Sequence, residues 1–416
     1  MTTAAPDTGA TPALKPYLRL LTATQFAFNT GFYAVLPYLA AHLGDGLGMA
    51  GWLVGLVLGL RTFSQQGLFV VGGALTDRYG PRPVVLTGCV LRIAGFCWLA
   101  QAGSTATVIG AVLLIGFAAA LFSPAVESET ARAAVAHETA TGTPRAQVLA
   151  VFSAAGQAGA FLGPLLGSLL LLLGGDFRTA CLAGAVVFVG VLAGHAKLMP
   201  HRPHRPRTAR TGAALPREVF ANRPFLVLCL AYSSYLVSYN QLYLALPAEV
   251  ERATGSQSAL GGLFALSSLL VVVAQLPLTR WSARRLPPRT ALVTGLAVVA
   301  TGFVAVPLAP DGPAGLLPAA ALVVLLTLGQ MLLVPAARGL VPDLVDDHRL
   351  GLATGALSSV SGLAVLVGSA ATGTLLDTPG AVLWTVLATV PLTGAALALT
   401  LSGGRRTPEP VTAVTD

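Results

Sequence analysis

Across 416 residues the chain is 54% hydrophobic and only 10% charged, with a mean hydropathy of +0.75. A soluble domain carries about 25% charged residues, so this composition excludes a water-soluble globular protein. The formal net charge of +8 would suggest nucleic acid only if its placement were ignored, and 23 arginines against 2 lysines is a bias of GC-rich bacterial genomes.

Successive apolar stretches of roughly 20 residues predict an all-α, polytopic membrane protein. Residues 1–16 are polar, with no basic segment leading into a short apolar core, so no cleaved signal peptide is expected and the first span serves as the targeting signal. Twelve helices are predicted, at about 17–42, 51–75, 84–102, 106–125, 147–173, 179–199, 224–248, 259–281, 290–309, 315–340, 351–376 and 380–401. The connections are short except at 200–223, which is basic and proline-rich. That linker divides a six-helix half at 17–199 from another at 224–401, with a tail at 402–416.

Basic residues set the orientation. With the N-terminus in the cytoplasm, 21 of the 25 basic residues fall inside, and Arg178 and Arg252 fall outside; Arg61 and Arg92 lie within helices. The positive-inside rule then puts both termini in the cytoplasm. The halves echo each other, as Gly116 to Pro124 resembles Gly329 to Pro335, and Gly163 to Leu170 resembles Ser369 to Leu376. Two similar halves around a long loop suit a rocking transporter with its substrate site at their interface, near the bilayer midplane.

The turn between spans two and three, Gly73-Ala-Leu-Thr-Asp77-Arg78-Tyr-Gly80-Pro-Arg82, is too polar to lie in lipid. Gly73 would let its helix approach a neighbour, and Gly80 would permit positive φ. Cys89, Cys97, Cys181 and Cys229 sit in apolar segments without ligand spacing and read as packing residues. The histidines are scattered or in loops, and His201-x-x-His204 reads as solvated linker. No phosphate loop, nucleophile elbow or triad spacing is present, so neither an enzyme nor an ATP-driven pump is expected, and no cofactor or metal.

These motifs carry a resemblance. Gly73-x-Leu-x-Asp77-Arg78-x-Gly80-x-Arg82 is similar to the loop motif of the major facilitator superfamily. Gly31-x5-Pro37 and Gly159-x3-Gly163-Pro164-x2-Gly167-Ser168 resemble the signatures of its drug–proton antiporters, with Ser168 replacing a glycine. The run Gly59-Leu-Arg61-x-Phe-x-Gln65-Gln66-Gly67-Leu, Thr87-Gly-x3-Arg92-x-Ala-Gly-Phe96 and Leu121-Phe-x-Pro124 resemble the MdtH group of bacterial efflux proteins. The resemblance implies a twelve-helix fold in two pseudo-symmetric bundles and proton-coupled efflux of small lipophilic compounds, associated with antibiotic resistance. The alternative is an ion-coupled symporter or uniporter for a small nutrient. A monomer in the bacterial cytoplasmic membrane is expected, binding no nucleic acid.

The resemblance also implies roles. Gly73, Asp77, Arg78, Gly80 and Arg82 would form a conformational latch, with Arg132 or Arg145 as the partner of Asp77. The antiporter glycines Gly159, Gly163 and Gly167, with Pro164, would bring the fifth span against the other half. Many antiporters carry an acid in the first span, where Thr24 and Gln25 stand here, so Glu127 and Glu129 beyond Pro124 become the proton-coupling candidates. Their alternative is a pair of loop carboxylates bridged to Arg132.

From the residues themselves, a lone mid-membrane Arg61 costs at least about 2.5 kcal/mol unless it meets a cavity or partner. It reads either as a substrate or coupling residue or as a structural hub with Gln65. Arg92 reads as snorkelling or as a helix-to-helix hydrogen bonder. A polar, aromatic cavity is expected, with a neutral wall from Gln25, Asn29 and Tyr33 in the first span and Tyr235, Tyr239 and Gln241 in the seventh, joined by Arg61 and Gln65 of the second. Such a wall suits flat, lipophilic or weakly cationic molecules. Tyr17, Tyr33 and Tyr38, near helix ends, also fit a membrane-interface position.

Overall fold

The computed structural model describes residues 11–401 except 144, 174, 201–220, 309–312, 346–349, 377 and 379. Among the described residues there is no strand, and ten helices are long and apolar enough to cross a membrane. The first half holds α1 (Thr11–Tyr33), α2 (Leu36–Ala41), α3 (Gly51–Gln66), α4 (Phe69–Tyr79), α5 (Pro81–Leu99), α6 (Thr105–Thr141), α7 (Arg145–Leu172) and α8 (Phe177–Leu198). The second holds α9 (Arg223–Thr254), α10 (Ala259–Arg285), α11 (Pro288–Ala305), α12 (Leu316–Leu344), α13 (Leu350–Leu375) and α14 (Gly380–Leu399). With α1–α2 and α3–α4 each forming one span, the twelve spans make two six-helix bundles. The predicted linker falls outside the described residues apart from its edges.

Local chemistry explains where the helices begin, stop and break. Ser104 and Thr107 form a reciprocal capping box at the start of α6. Asp176 accepts the Thr179 amide at 2.8 Å to start α8, and Asn222 accepts the Phe225 amide at 3.2 Å to start α9. Gly142 and Gly255 end α6 and α9 in the left-handed conformation, at φ 72° and 69°. Gly80 has φ 87°, as its place in the turn required.

The first two spans are not continuous. Pro37 has no amide to donate, so the first span breaks after Tyr33 and restarts as α2. The second breaks at Gly67, whose carbonyl accepts the Ser359 hydroxyl at 3.2 Å from the other half. The fourth runs 16 residues beyond its expected end at 125, because the Ala, Glu and Arg sequence after Pro124 favours helix. Glu127 and Glu129 are therefore helical residues and not loop carboxylates.

The bundles meet along two crossed pairs, α3 with α13 and α7 with α10, so the second span of each half packs on the fifth of the other. Below, the N-terminal face is the one where α1 and α9 begin, and the far face the one where they end. The α3–α13 pair is closest near the far face. A Cβ at Gly55 would stand 2.0 Å from the Ser369 carbonyl oxygen, and one at Gly51 would stand 2.4 Å from that of Gly373. Only glycine permits this approach.

Two glycine assignments need correcting. Gly73 has nothing within 4 Å of its Cβ position; the close approach belongs to Gly72, at 1.9 Å from the Ala120 carbonyl oxygen. One residue along a helix turns the side chain by about 100°, which moves Gly73 off the packed face. Gly159, Gly163 and Gly167 do not face the other half. Their Cβ positions fall 2.3 Å from Phe26 O, 2.8 Å from Thr30 O and 2.4 Å from Ala34 O, all in the first span of the same bundle. The inter-half contact is made one residue later, where Ser168 Oγ lies 2.2 Å from the Cβ position of Gly261 and Pro164 O lies 3.0 Å from it. Ser168, the departure from the motif, is thus the residue at the seam.

Candidate functional site

A central cavity of about 100 Å³ opens between the bundles, walled by Asn29 and Tyr33, by Gln157 and Ala160 of α7, by Tyr239 and Tyr243 of α9, by Phe264, Ser267, Ser268 and Val271 of α10, and by Gln330 of α12. Asn29 donates to the Gly156 carbonyl at 2.8 Å, and Tyr33, Tyr239 and Tyr243 bring three phenols to the same cavity. Along α9 the rings of Tyr232, Tyr235, Tyr239 and Tyr243 follow one another at centroid separations of 5.7, 5.8 and 6.0 Å. Spacings of three and four residues put them on one helix face. A larger apolar cavity of about 600 Å³ lies near the N-terminal face between α1, α7 and the end of α6. It is lined by one half only, so the central cavity is the one that alternating access would expose.

Of the expected cavity residues, Asn29, Tyr33 and Tyr239 line this space. Tyr235 sits behind Tyr239, and Gln25 borders Gly156 beside Asn29. Gln241 is turned away: fully buried, it donates to Val237 O at 3.0 Å and to Thr372 Oγ1 of α13 at 3.2 Å. Residue 241 is two positions beyond Tyr239, on another side of the helix, and sequence proximity alone hid this. Tyr38 and Tyr17 are not interface residues. Tyr38 donates to Pro164 O at 2.8 Å, and Tyr17 donates to Glu129 at 2.8 Å, both buried inside the first half.

Arg61 lies ten residues into α3, about 15 Å from its far-face end. One of its terminal nitrogens donates to Gln65 in a very short hydrogen bond, the other to Thr62 at 3.4 Å, and its Cζ stands 4.5 Å from the centroid of the Phe32 ring. Thr62 donates to Asn240, which donates to Ser369, so the cluster ties α3, α9 and α13 together. The Phe32 ring beneath Arg61 packs edge-on against Tyr33 at 5.0 Å, so Arg61 lies behind the cavity wall. Arg92, only 1% exposed, does not snorkel. It donates to Ile115 O at 3.0 Å and sits among the rings of Phe28, Phe32, Phe96 and Phe188 at 4.8 to 5.4 Å.

The two α6 carboxylates differ. Glu129 is 1% exposed, accepts from Tyr17 and bridges Arg132 at 2.7 Å. Glu127 is exposed, two residues away on the side facing the second half, and the cation acting on it is Arg338 of α12. In the turn motif, Arg78 stacks on Tyr79 and Arg82 donates to Ala196 O at 2.7 Å. The side chains of Asp77 and Arg145 lie outside those described.

One polar pair escaped the sequence. His195, read as one of the scattered histidines, is fully buried in α8 and shares a 2.9 Å hydrogen bond with Thr24. The signal available was its place inside the apolar run Leu192-Ala-Gly-His-Ala. Gln157 and Gln330, lone amides in apolar helices, were a similar signal for the cavity.

The Major Facilitator Superfamily profile matches residues 20–369 and 228–415. An uncharacterized MFS-type transporter of Mycobacterium tuberculosis is 38% identical over 370 residues, spanning 86% of this chain and 85% of that protein. The multidrug resistance protein MdtH of Aeromonas hydrophila is 32% identical over 341 residues, spanning 80% and 83%. That of Escherichia coli is 31% identical over 334 residues, spanning 78% and 80%. Among solved structures, the nucleoside transporter NupG superposes with a TM-score of 0.78 at 14% identity, covering 94% of this chain and all of its own; this similarity concerns the fold alone. With helices, seam and profile in agreement, the chain is a multi-pass membrane transporter of the major facilitator superfamily.

Proposed function

We propose that this transporter exports small lipophilic compounds across a bacterial cytoplasmic membrane in exchange for protons. The observation that carries the proposal is a neutral, tyrosine-rich cavity at the seam of a chain similar to multidrug resistance proteins over four-fifths of its length. The inclined phenol rings offer broad apolar contact, and their hydroxyls with Asn29, Gln157 and Gln330 offer adaptable hydrogen bonds. The N-terminal face is the cytoplasmic one on the distribution of basic residues, and the working unit is a monomer.

In this account the glycine-lined α3–α13 seam closes the periplasmic side, and the Asp77 turn holds the cytoplasmic side when that seam opens. Glu127 carries the exchanged proton. It faces the other half, so its surroundings change as the halves rock, whereas Glu129 is satisfied within its own bundle. The test uses purified protein in liposomes that are acidic inside and contain a pH-sensitive dye. A panel of lipophilic cations, neutral drugs and acids is added to wild type and to Asp77→Asn. Proton flux that depends on a compound and is lost in Asp77→Asn is expected. Saturable uptake of a compound with no proton flux would overturn the exchange.

A further inference from the structure

Two guanidinium groups stand inside the first bundle with no described carboxylate to balance them. The ion pairs formed among the described residues, Glu129–Arg132 and Glu249–Arg252, use neither Arg61 nor Arg92. The ionisable groups acting on the two arginines are Tyr33, Tyr239, Tyr243, Cys89 and each other. They share one ring: Cζ of Arg61 is 4.5 Å and Cζ of Arg92 is 5.0 Å from the centroid of Phe32. The cations are therefore within about 10 Å of each other in a low-dielectric interior, where like charges interact strongly.

Their hydrogen bonds are also incomplete. Nε of Arg61, and Nε and one terminal nitrogen of Arg92, have no acceptor. An arginine does not deprotonate in a protein, so these groups remain charged donors. Beside Arg61 is a void of about 20 Å³, enough for one water-sized occupant. Arg61 lines it together with Phe32, Phe96 and Ile115, the residues whose rings or carbonyl meet Arg92. A water molecule there would satisfy a donor but leave both charges uncompensated.

We infer that Arg61 and Arg92 form an anion subsite that takes a compact monovalent anionic group. Two sources fit the same chemistry: chloride from solution, or the carboxylate of an amphipathic substrate entering from the central cavity, whose tyrosine wall Arg61 backs. A cationic substrate is disfavoured at this depth. The carboxylate source rests on the efflux reading, whereas the chloride source does not.

The experiment uses the full chain in detergent micelles, with thermal unfolding and titration calorimetry as readouts. Chloride is titrated against gluconate at fixed ionic strength. In gluconate, phenylbutyrate, its methyl ester and phenylbutylamine are then compared. Saturable binding of chloride alone identifies the ion as the source, and binding of the acid about tenfold or more tighter than the ester and amine identifies the substrate carboxylate. Competition between chloride and the acid identifies one shared site. Any such response should be lost in Arg61→Gln and partly kept in Arg61→Lys. If the glutamine variant does not fold, the wild-type selectivity still decides. No chloride response together with ester or amine binding as tight as the acid, or no binding of any probe, overturns the inference. Compound-driven proton flux with neither a chloride response nor acid preference would overturn it and leave efflux standing; anion binding without proton flux would do the reverse.

Discussion

Replacing Gly55 with alanine should push the transporter toward the state open on the far face. The added Cβ would stand 2.0 Å from the carbonyl oxygen of Ser369 and 2.8 Å from its carbonyl carbon. Both atoms are α13 backbone, so no side chain can rotate aside, and the two helices must separate. Overpacking of this kind costs about 1–3 kcal/mol. The cost falls on the conformation in which the seam is closed, so the equilibrium between closed and open should shift by about 5- to 150-fold. Spin labels at positions 45 and 251 would report the change, since Asp45 and Glu251 line one far-face cavity from opposite halves. The four native cysteines would first be replaced. Electron–electron resonance should show a longer-distance population in Gly55→Ala and none in Gly103→Ala, whose Cβ position has nothing within 4 Å. An unchanged distance distribution with a lowered melting temperature would refute the reasoning, because the α3–α13 seam would then be static packing.

Ser168→Gly restores the motif glycine but removes the hydroxyl that meets Tyr38 at 2.6 Å and Ser258 O at 3.4 Å; the same spin labels should show a looser far face. Glu129→Gln should lower thermal stability by about 1–2 kcal/mol, since Arg132 is half-exposed and the Tyr17 hydrogen bond can persist, while compound-driven proton flux is retained. The Asp45 carboxyl, just beyond α2, is held above the usual aspartate range by burial first and then by Glu251. Folding therefore binds its proton more tightly, and the associated stability is present at low pH and declines as pH rises through the raised value. Melting curves against pH should show this decline flattened in Asp45→Asn; an identical slope would exclude Asp45 as its source.

Hydropathy and basic-residue placement made the twelve spans legible, because lipid forces every backbone group into a helix. The breaks at Tyr33 and Gly67 were harder to read. Pro37 signalled the first, but the second depends on Ser359, nearly 300 positions away. The motif glycines were visible as small residues, yet their partners were not. Whether Gly163 faces its own bundle or the other is decided by helix rotation, and the first span lies against it in space. The tyrosine face of α9 was legible from its spacing, whereas Gln241 was misplaced for want of that same rotation. His195, facing Thr24 across the bundle, was not legible either, because a single histidine in an apolar run carries no spacing that points to its partner.

Glu127 is where the proposed coupling can be tested most directly. Liposomes containing wild type or Glu127→Gln would be assayed twice with one identified substrate, for substrate-driven proton flux and for substrate counterflow without a proton gradient. Glu127→Gln should lose the flux and keep the counterflow, since the cavity and the seam are untouched. Proton flux at the wild-type rate in Glu127→Gln would contradict the proposed coupling.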